Sequence, residues 1–275
     1  MTRPSLNQSI ARCPGPCDIA IPIVYPNQPI TIPVAAVREQ IPFDGIDVEA
    51  SLQVTFTDPD ASPPLSIQSI RPQGPAVTGL GHAGIAIING VTGAVAYLEY
   101  GRYDGARGFG RVRAVALSPS VITFDDSNKP DSASFASLLR SLAQTNNPTA
   151  GYDFEAVYIE LPNGAFDIMK EFAEQRRQQV EEGPEGGAQP YNVANNHCFT
   201  FAMEVISEVG VGFNIRQANP LNLKLQGGNF LTRGAVSTFA PTFEVPARQM
   251  RALQTQHPAL NVSNEGRITN GFQFP

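Results

Sequence analysis

One stretch of the sequence, residues 191–206, joins a polar loop to an amphipathic segment and places a cysteine at the junction. Asn195 and Asn196 are residue types that favour the N-cap of a helix. The apolar residues that follow Cys198 recur at spacings of three and four, which predicts a helix with one buried face. Backbone N–H groups and the helix dipole stabilise a thiolate at such a position. We therefore expect Cys198 to be a nucleophile; the alternative is a thiol buried as a small hydrophobe.

A second stretch, residues 81–100, predicts a β-hairpin, because two apolar runs flank Asn89-Gly90. A two-residue loop pairs His82 with Tyr97, and a four-residue loop pairs His82 with Glu99. In both registers His82 and Glu99 lie on the same face, since side chains alternate along a strand. A neighbouring carboxylate fixes the tautomer of an imidazole and supports its charged form. We expect Glu99 to orient His82, and a solvated surface pair is the alternative. Three nearby side chains are alternative partners for His82: Tyr97, Tyr103 and Asp104.

The overall composition narrows the class of partner. The chain has 275 residues and a formal net charge of -6, and it has no basic run with interleaved aromatic residues, which argues against a nucleic-acid partner. No apolar run is long enough to span a membrane. Residues 1–11 lack the apolar core of an ordinary secretory signal peptide. We therefore expect a globular protein that is made in the cytoplasm and has no transmembrane segment.

Two of the three cysteines, Cys13 and Cys17, bracket a Pro-Gly-Pro sequence near the N-terminus. A structural metal site would need two more ligands, and the sequence has no CxxC pair or second His/Cys cluster to supply them. We therefore expect no metal and no cofactor. A local disulfide and a pair of unbonded thiols are both compatible with this spacing.

The rest of the chain predicts a mixed α+β fold. Alternating apolar residues between positions 18 and 70 indicate strands, which their prolines limit to edge strands or short strands. These strands form either a separate subdomain or an addition to the main sheet. Residues 132–143 and 165–180 predict helices, and residues 152–161 predict a strand. We expect three parts: an N-terminal arm and β-rich extension (1–75), a catalytic domain (76–245) and a C-terminal tail (246–275).

Residues 102–113 are rich in glycine and arginine. Arginines can bind a substrate carboxylate, but this pattern is more typical of a solvated loop followed by a short strand. A solvated loop is therefore the favoured interpretation of this segment, and a substrate-binding role for its arginines is the alternative.

A strand histidine with a neighbouring carboxylate and a cysteine at a helix start are the parts of a thiol hydrolase: base, orienter and nucleophile. Here they occur in the order His82, Glu99, Cys198. The segments Gly81-His82-Ala83-Gly84 and Asn195-Asn196-His197-Cys198, each followed by apolar residues, resemble the circularly permuted papain-like families. Those families include peptidoglycan amidases of the NlpC class and the lecithin retinol acyltransferase group. The resemblance covers roughly residues 78–212.

The resemblance implies a circularly permuted papain-like fold, in which an antiparallel sheet packs against helices that include the Cys198 helix. It implies a hydrolase that cleaves amide bonds in peptidoglycan peptides through a thioacyl intermediate. The catalytic residues would be Cys198, His82 and Glu99. Three other residues would contact the oxyanion or the substrate: Asn196, His197 and Tyr97. We expect the His197 side chain to point away from the sulfur along the helix.

The chain also resembles toxins that type VI secretion systems export, in keeping with the missing signal peptide. Such a toxin would act in the periplasm of a target cell, and its partners would be an immunity protein or a carrier of the secretion machine. Two alternatives remain for the function. One is a lipid acyltransferase or thioesterase of the same fold, and the other is a non-enzymatic structural or adaptor protein.

Overall fold

The computed structural model describes residues 13–28, 81–101, 110–183, 191, 196–212 and 246–275, together with the backbone of seven short strands outside these ranges. The helices are α1 (Ser132–Gln144), α2 (Ala165–Glu182), α3 (Cys198–Ser207) and α4 (Pro246–Gln254). The strands are β1 (Asp18–Tyr25), β2 (Ile30–Thr31), β3 (Leu52–Thr55), β4 (Ser66–Arg71), β5 (Gly74–Thr78), β6 (His82–Ile88), β7 (Val95–Gly101), β8 (Arg111–Val115), β9 (Phe154–Val157), β10 (Ile159–Leu161), β11 (Leu221–Asn222), β12 (Lys224–Gly227), β13 (Thr242–Phe243) and β14 (Ala259–Val262). None of the helices in the described part of the chain is long and apolar enough to cross a membrane.

The main sheet has seven strands in the order β14-β9-β1-β6-β7-β8, and β10 pairs with the beginning of β1. All of its pairings are antiparallel. Every residue of β1 is buried, because helices or loops cover both faces of this central strand. The expected α+β fold with an antiparallel sheet packed against helices is therefore confirmed.

The central position and eight-residue length of β1 differ from the expectation that its prolines limit it to an edge strand or a short strand. On one side, β1 pairs with β10 through Asp18–Ala20 and with β9 through residues 23–24. Pro22 lies between these two partners, where the ladder on that side is interrupted, so a residue without an N–H is tolerated there. The strand belongs to the main sheet, which decides between the two alternatives for this part of the 18–70 segment.

Two cores lie on opposite faces of the main sheet. The first core joins the sheet to helices α2, α3 and α4; it includes Ile85, Met169, Phe199 and Met250. The second core joins the other face to helix α1 and the C-terminal residues; it includes Ile21, Tyr97, Leu138 and Leu260. Alternation along each strand sends successive side chains to the two cores in turn.

The C-terminal residues 246–275 form more than the expected tail. Helix α4 buries Met250 and Leu253 in the first core. Strand β14 pairs with β9, and the rings of Phe272 and Phe274 pack against Tyr158. The sequence did not predict this packing, because the apolar residues of the segment lie among polar ones and are spaced too widely to give a strong periodic signal.

Cys13 and Cys17 form a disulfide, so the first of the two alternatives for these cysteines holds. The loop that they close lies against the turn between β6 and β7. A side chain at Gly90 would collide with the backbone of Pro16 and Cys17, so glycine allows the close approach. This contact lies at the end of the hairpin remote from His82.

The Asp18 side chain connects three parts of the fold through hydrogen bonds. Its carboxylate is fully buried; Oδ1 accepts a 2.7 Å hydrogen bond from the Gly90 N–H, and Oδ2 accepts a 2.9 Å bond from the Phe166 N–H. Helix α2 begins after Gly164, which has no side chain to cap it. The Asp18 carboxylate therefore caps this helix from strand β1 while also fixing the β6–β7 turn.

We expect Asp18→Ala to destabilise the protein strongly, because each buried N–H left without an acceptor costs about 1–3 kcal/mol. Asp18→Asn keeps one acceptor oxygen and is expected to give a smaller loss in urea unfolding. Asp125→Ala is the matched control, since Asp125 also accepts from two backbone N–H groups but in an exposed turn. Equal destabilisation by the Asp18 and Asp125 variants would contradict the role of burial.

Candidate active site

His82 and Glu99 meet across the β6–β7 hairpin. Gly84 pairs with Glu99, so His82 is a diagonal neighbour of Glu99 on the same face. The Nε2 atom of His82 lies 3.5 Å from Oε1 of Glu99. This geometry agrees with the expectation that the two side chains lie on the same face of the hairpin.

The hairpin loop has six residues, 89–94, rather than the expected two or four. The reason is that the Asn89 side chain folds the chain into a wider turn: its Oδ1 accepts from the N–H groups of Val91 and Thr92 at 3.0 and 2.8 Å. The loop is longer by an even number of residues, so the side chains keep their faces.

Cys198 is the first residue of helix α3, and its side chain is buried with 1% exposure. The N-cap is His197, whereas the sequence favoured Asn195 or Asn196. His197 Nδ1 accepts a 3.3 Å hydrogen bond from the Phe199 N–H, and Thr200 Oγ1 accepts a 2.8 Å bond from the His197 N–H. An unprotonated ring nitrogen thus takes the place of the usual Ser, Thr, Asn or Asp oxygen. Asn195 lies outside the described residues.

The Cys198 thiol and the His82 imidazole are close enough that each shifts the pKa of the other. Burial disfavours the imidazolium, but the hydrogen bonds to Cys198 and Glu99 outweigh it and raise the pKa of His82. Burial likewise disfavours the thiolate, but the contacts with His197 and His82 leave the pKa of Cys198 below its ordinary value. Both shifts favour a thiolate beside an imidazolium at neutral pH.

Glu99 is fully buried and is surrounded by donors. Asn146 Nδ2 donates to Oε1 at 2.7 Å, and Arg113 donates to Oε2. Burial opposes ionisation, yet the hydrogen bonds and positive charge of His82, together with Asn146 and Arg113, hold the pKa of Glu99 well below its usual range. The carboxylate therefore stays ionised behind the imidazole.

Sequence reasoning missed Asn146 and misjudged Arg113. Arg113 lies in β8 directly opposite Glu99, and its guanidinium reaches the carboxylate rather than solvent alone. Arg113 and Glu99 carry opposite charges on neighbouring strands, so a pairing of β7 with β8 could have predicted their contact. Asn146 follows helix α1, in a segment with no pattern that links it to the hairpin.

The three residues expected at the oxyanion or substrate lie in different places. Asn196 donates from Nδ2 to the Tyr100 hydroxyl at 3.2 Å and accepts from Arg176 at 3.3 Å, so its side chain is turned toward β7 and α2. His197 caps the helix and contacts Cys198, which differs from the expected outward orientation. Tyr97 has 1% exposure and lies in the second core, where its ring covers Gly84.

The site brings together a thiol, an imidazole and an ionised carboxylate. Among the described residues, no group of three or more His, Cys, Asp or Glu side chains could hold a metal ion. Nε2 is the ring nitrogen of His82 that faces Glu99, at 3.5 Å from its Oε1. The backbone N–H of Cys198, at the first turn of α3, belongs to the groups that have no partner within the helix.

Comparison with known proteins assigns the chain to a family. Residues 20–211 match the family described as type VI secretion system effector TseH-like. The crystal structure of the type VI secretion system effector TseH is similar in fold, with a TM-score of 0.57 and 18% identity over 93% of this chain and 98% of that chain. A comparison with curated proteins gives no match. Because the family match spans more than half of the sequence, the chain belongs to the TseH-like family of type VI secretion system effectors.

Proposed function

We propose that this protein is a thiol hydrolase in which Cys198 is the nucleophile, His82 the general base and Glu99 the orienting carboxylate. The observation that carries the proposal is the buried Cys198 thiol at the start of α3, whose pKa His82 lowers, together with Glu99 Oε1 at 3.5 Å from His82 Nε2. A base held by hydrogen bonds to both nucleophile and orienter is the arrangement that activates a side-chain nucleophile.

In the proposed reaction, His82 takes the Cys198 proton, and the thiolate attacks the carbonyl carbon of an amide. The backbone N–H of Cys198 donates to the oxyanion, since the Asn196 amide is turned toward Tyr100. Collapse of the tetrahedral intermediate breaks the C–N bond, and His82 gives its proton to the leaving amine. Water then attacks the thioester with His82 as base, the C–S bond breaks, and the acid product leaves with the thiol restored.

The chain order supports a circularly permuted papain-like fold. The strand that carries His82 precedes the helix that carries Cys198, and the helix packs on the sheet through Phe199 and Ile206 in the first core. The nucleophile, base and orienter keep their spatial roles although their sequence order is reversed relative to papain, because a triad depends on geometry alone.

The proposed substrate is an amide bond in a peptidoglycan peptide. Membership of an effector family implies export by a secretion system. The resemblance of the His82 and Cys198 segments to peptidoglycan amidases makes the cell wall in the target periplasm the fitting substrate. An immunity protein in the producing cell is the proposed partner, since a cell that exports a wall-cleaving enzyme needs protection from it.

We expect the purified protein to release peptide fragments from isolated sacculi, and mass spectrometry of these fragments would identify the cleaved bond. Cys198→Ala is expected to reduce release to background, because the thioacyl intermediate cannot form. His82→Ala is expected to reduce the rate by about 10²–10⁴-fold, the usual contribution of a general base. Undiminished release by a folded Cys198→Ala protein would refute the proposed nucleophile.

We expect iodoacetamide to label Cys198 rapidly near pH 6.5, where an ordinary thiol with a pKa of about 8.5 is only about 1% ionised. The label reports one site, since Cys13 and Cys17 are joined in a disulfide. His82→Ala is expected to slow labelling at least about tenfold, because the thiolate loses its counter-ion. His257→Ala is the matched control and is expected to label like the unmodified protein. Slow labelling of the unmodified protein would instead favour an adaptor with a structural thiol.

A further inference from the structure

We propose that Asn146 and Arg113 are positioning residues of the active site, which fix the Glu99 carboxylate so that Oε1 stays directed at His82. This inference rests on the proposed function of the Cys198–His82 pair. It adds two members from outside the hairpin and the Cys198 helix.

The three side chains form a closed ring of hydrogen bonds. Arg113 Nη2 donates to Glu99 Oε2 and also to Asn146 Oδ1, the latter at 2.9 Å. Asn146 Nδ2 then donates to Glu99 Oε1 at 2.7 Å. Each of the two carboxylate oxygens has its own donor, and the amide is held at both ends. Rotation of the carboxylate would break two bonds at once.

The two oxygens of Glu99 have different tasks in this ring. Oε2 is held by Arg113, whereas Oε1 is the oxygen that lies 3.5 Å from His82 Nε2. Asn146 bonds to the same oxygen as His82. Without Asn146, the carboxylate is free to turn toward the guanidinium, which would move negative charge away from the imidazole.

Burial makes these partners necessary. The Glu99 side chain has no exposed surface, so bulk water cannot replace a missing donor. Arg113 has a side chain that is 43% exposed, so its charge stays partly hydrated while one nitrogen reaches inward. The positive charge therefore lies at the surface, and the neutral amide fixes the geometry inside.

The titratable groups that act on His82, Glu99 or Cys198 come from four elements. They are Cys198 and His197 at the start of α3, Arg113 in β8, Tyr97 in β7 and Tyr25 in β1. Burial raises the pKa of both tyrosines well above 10, so they stay neutral in the assay range. A pH profile of Cys198 alkylation between about pH 5 and 9 therefore reports on the Cys198–His82 pair.

The test is the pH profile of iodoacetamide labelling for Asn146→Ala in the full chain. A less firmly placed Glu99 supports the imidazolium less, so the pKa of His82 falls and that of the thiol rises. The acid limb of the profile is then expected to move to higher pH, and labelling near pH 6.5 to slow about tenfold, the size of one lost hydrogen bond to a charged group. Asn146→Gln keeps the amide and is expected to recover part of the rate.

Asn147→Ala is the matched control, because Asn147 lies in the same turn and accepts from Ala150 N–H and Thr149 rather than donating to Glu99. It is expected to leave the profile unchanged, and thermal unfolding of every variant checks that the fold is retained. An unmoved acid limb in folded Asn146→Ala, or an equal displacement in Asn147→Ala, would overturn the inference. Slow labelling of the unmodified protein would instead defeat the proposed function, so the two failures are distinguishable.

Discussion

A fully buried negative charge determines the arrangement of side chains around the Cys198 thiol. Burying the Glu99 carboxylate without partners would cost several kcal/mol, so the charge persists only because donors surround it. Those donors come from three places in the fold: the imidazole of β6, the guanidinium of β8 and the amide that follows α1. The charge in turn supports the imidazolium, which supports the thiolate. Each group in this series is held in its ionised form by the next.

The scaffold that holds this series depends on a central strand with two apolar faces. Strand β1 sends alternate side chains into the first and second cores, so helices α2–α4 and helix α1 are fixed relative to one another through it. Asp18 at its beginning also fixes the start of α2. As a consequence, the helix that bears Cys198 and the turn that bears Asn146, which lie on opposite faces of the sheet, are held in register.

The sequence predicted those features of the site that depend on local periodicity. His82 and Glu99 share a face for any even change in loop length. The prediction of a shared face therefore held although the predicted length of the hairpin loop was wrong. The helix after Cys198 followed from its apolar spacing, but its cap did not, because histidine is rarely the capping residue. The partnership of Asn146 with Glu99 and the central position of β1 arise from contacts between segments far apart in sequence. No local pattern encodes such contacts.

Strand β1 pairs with β10 across more than 140 residues, since Asp18 lies opposite Leu161. The sheet gains its last strand only with residues 259–262. Pairings over such separations fold slowly, because the entropy of closing a long loop is lost before the contacts form. Until the strands assemble, the imidazole and the sulfur belong to unconnected parts of the chain, and the thiol retains its ordinary acidity. The nucleophilic character proposed for Cys198 thus arises late in folding, and a nascent or partly unfolded chain carries a thiol of only ordinary reactivity.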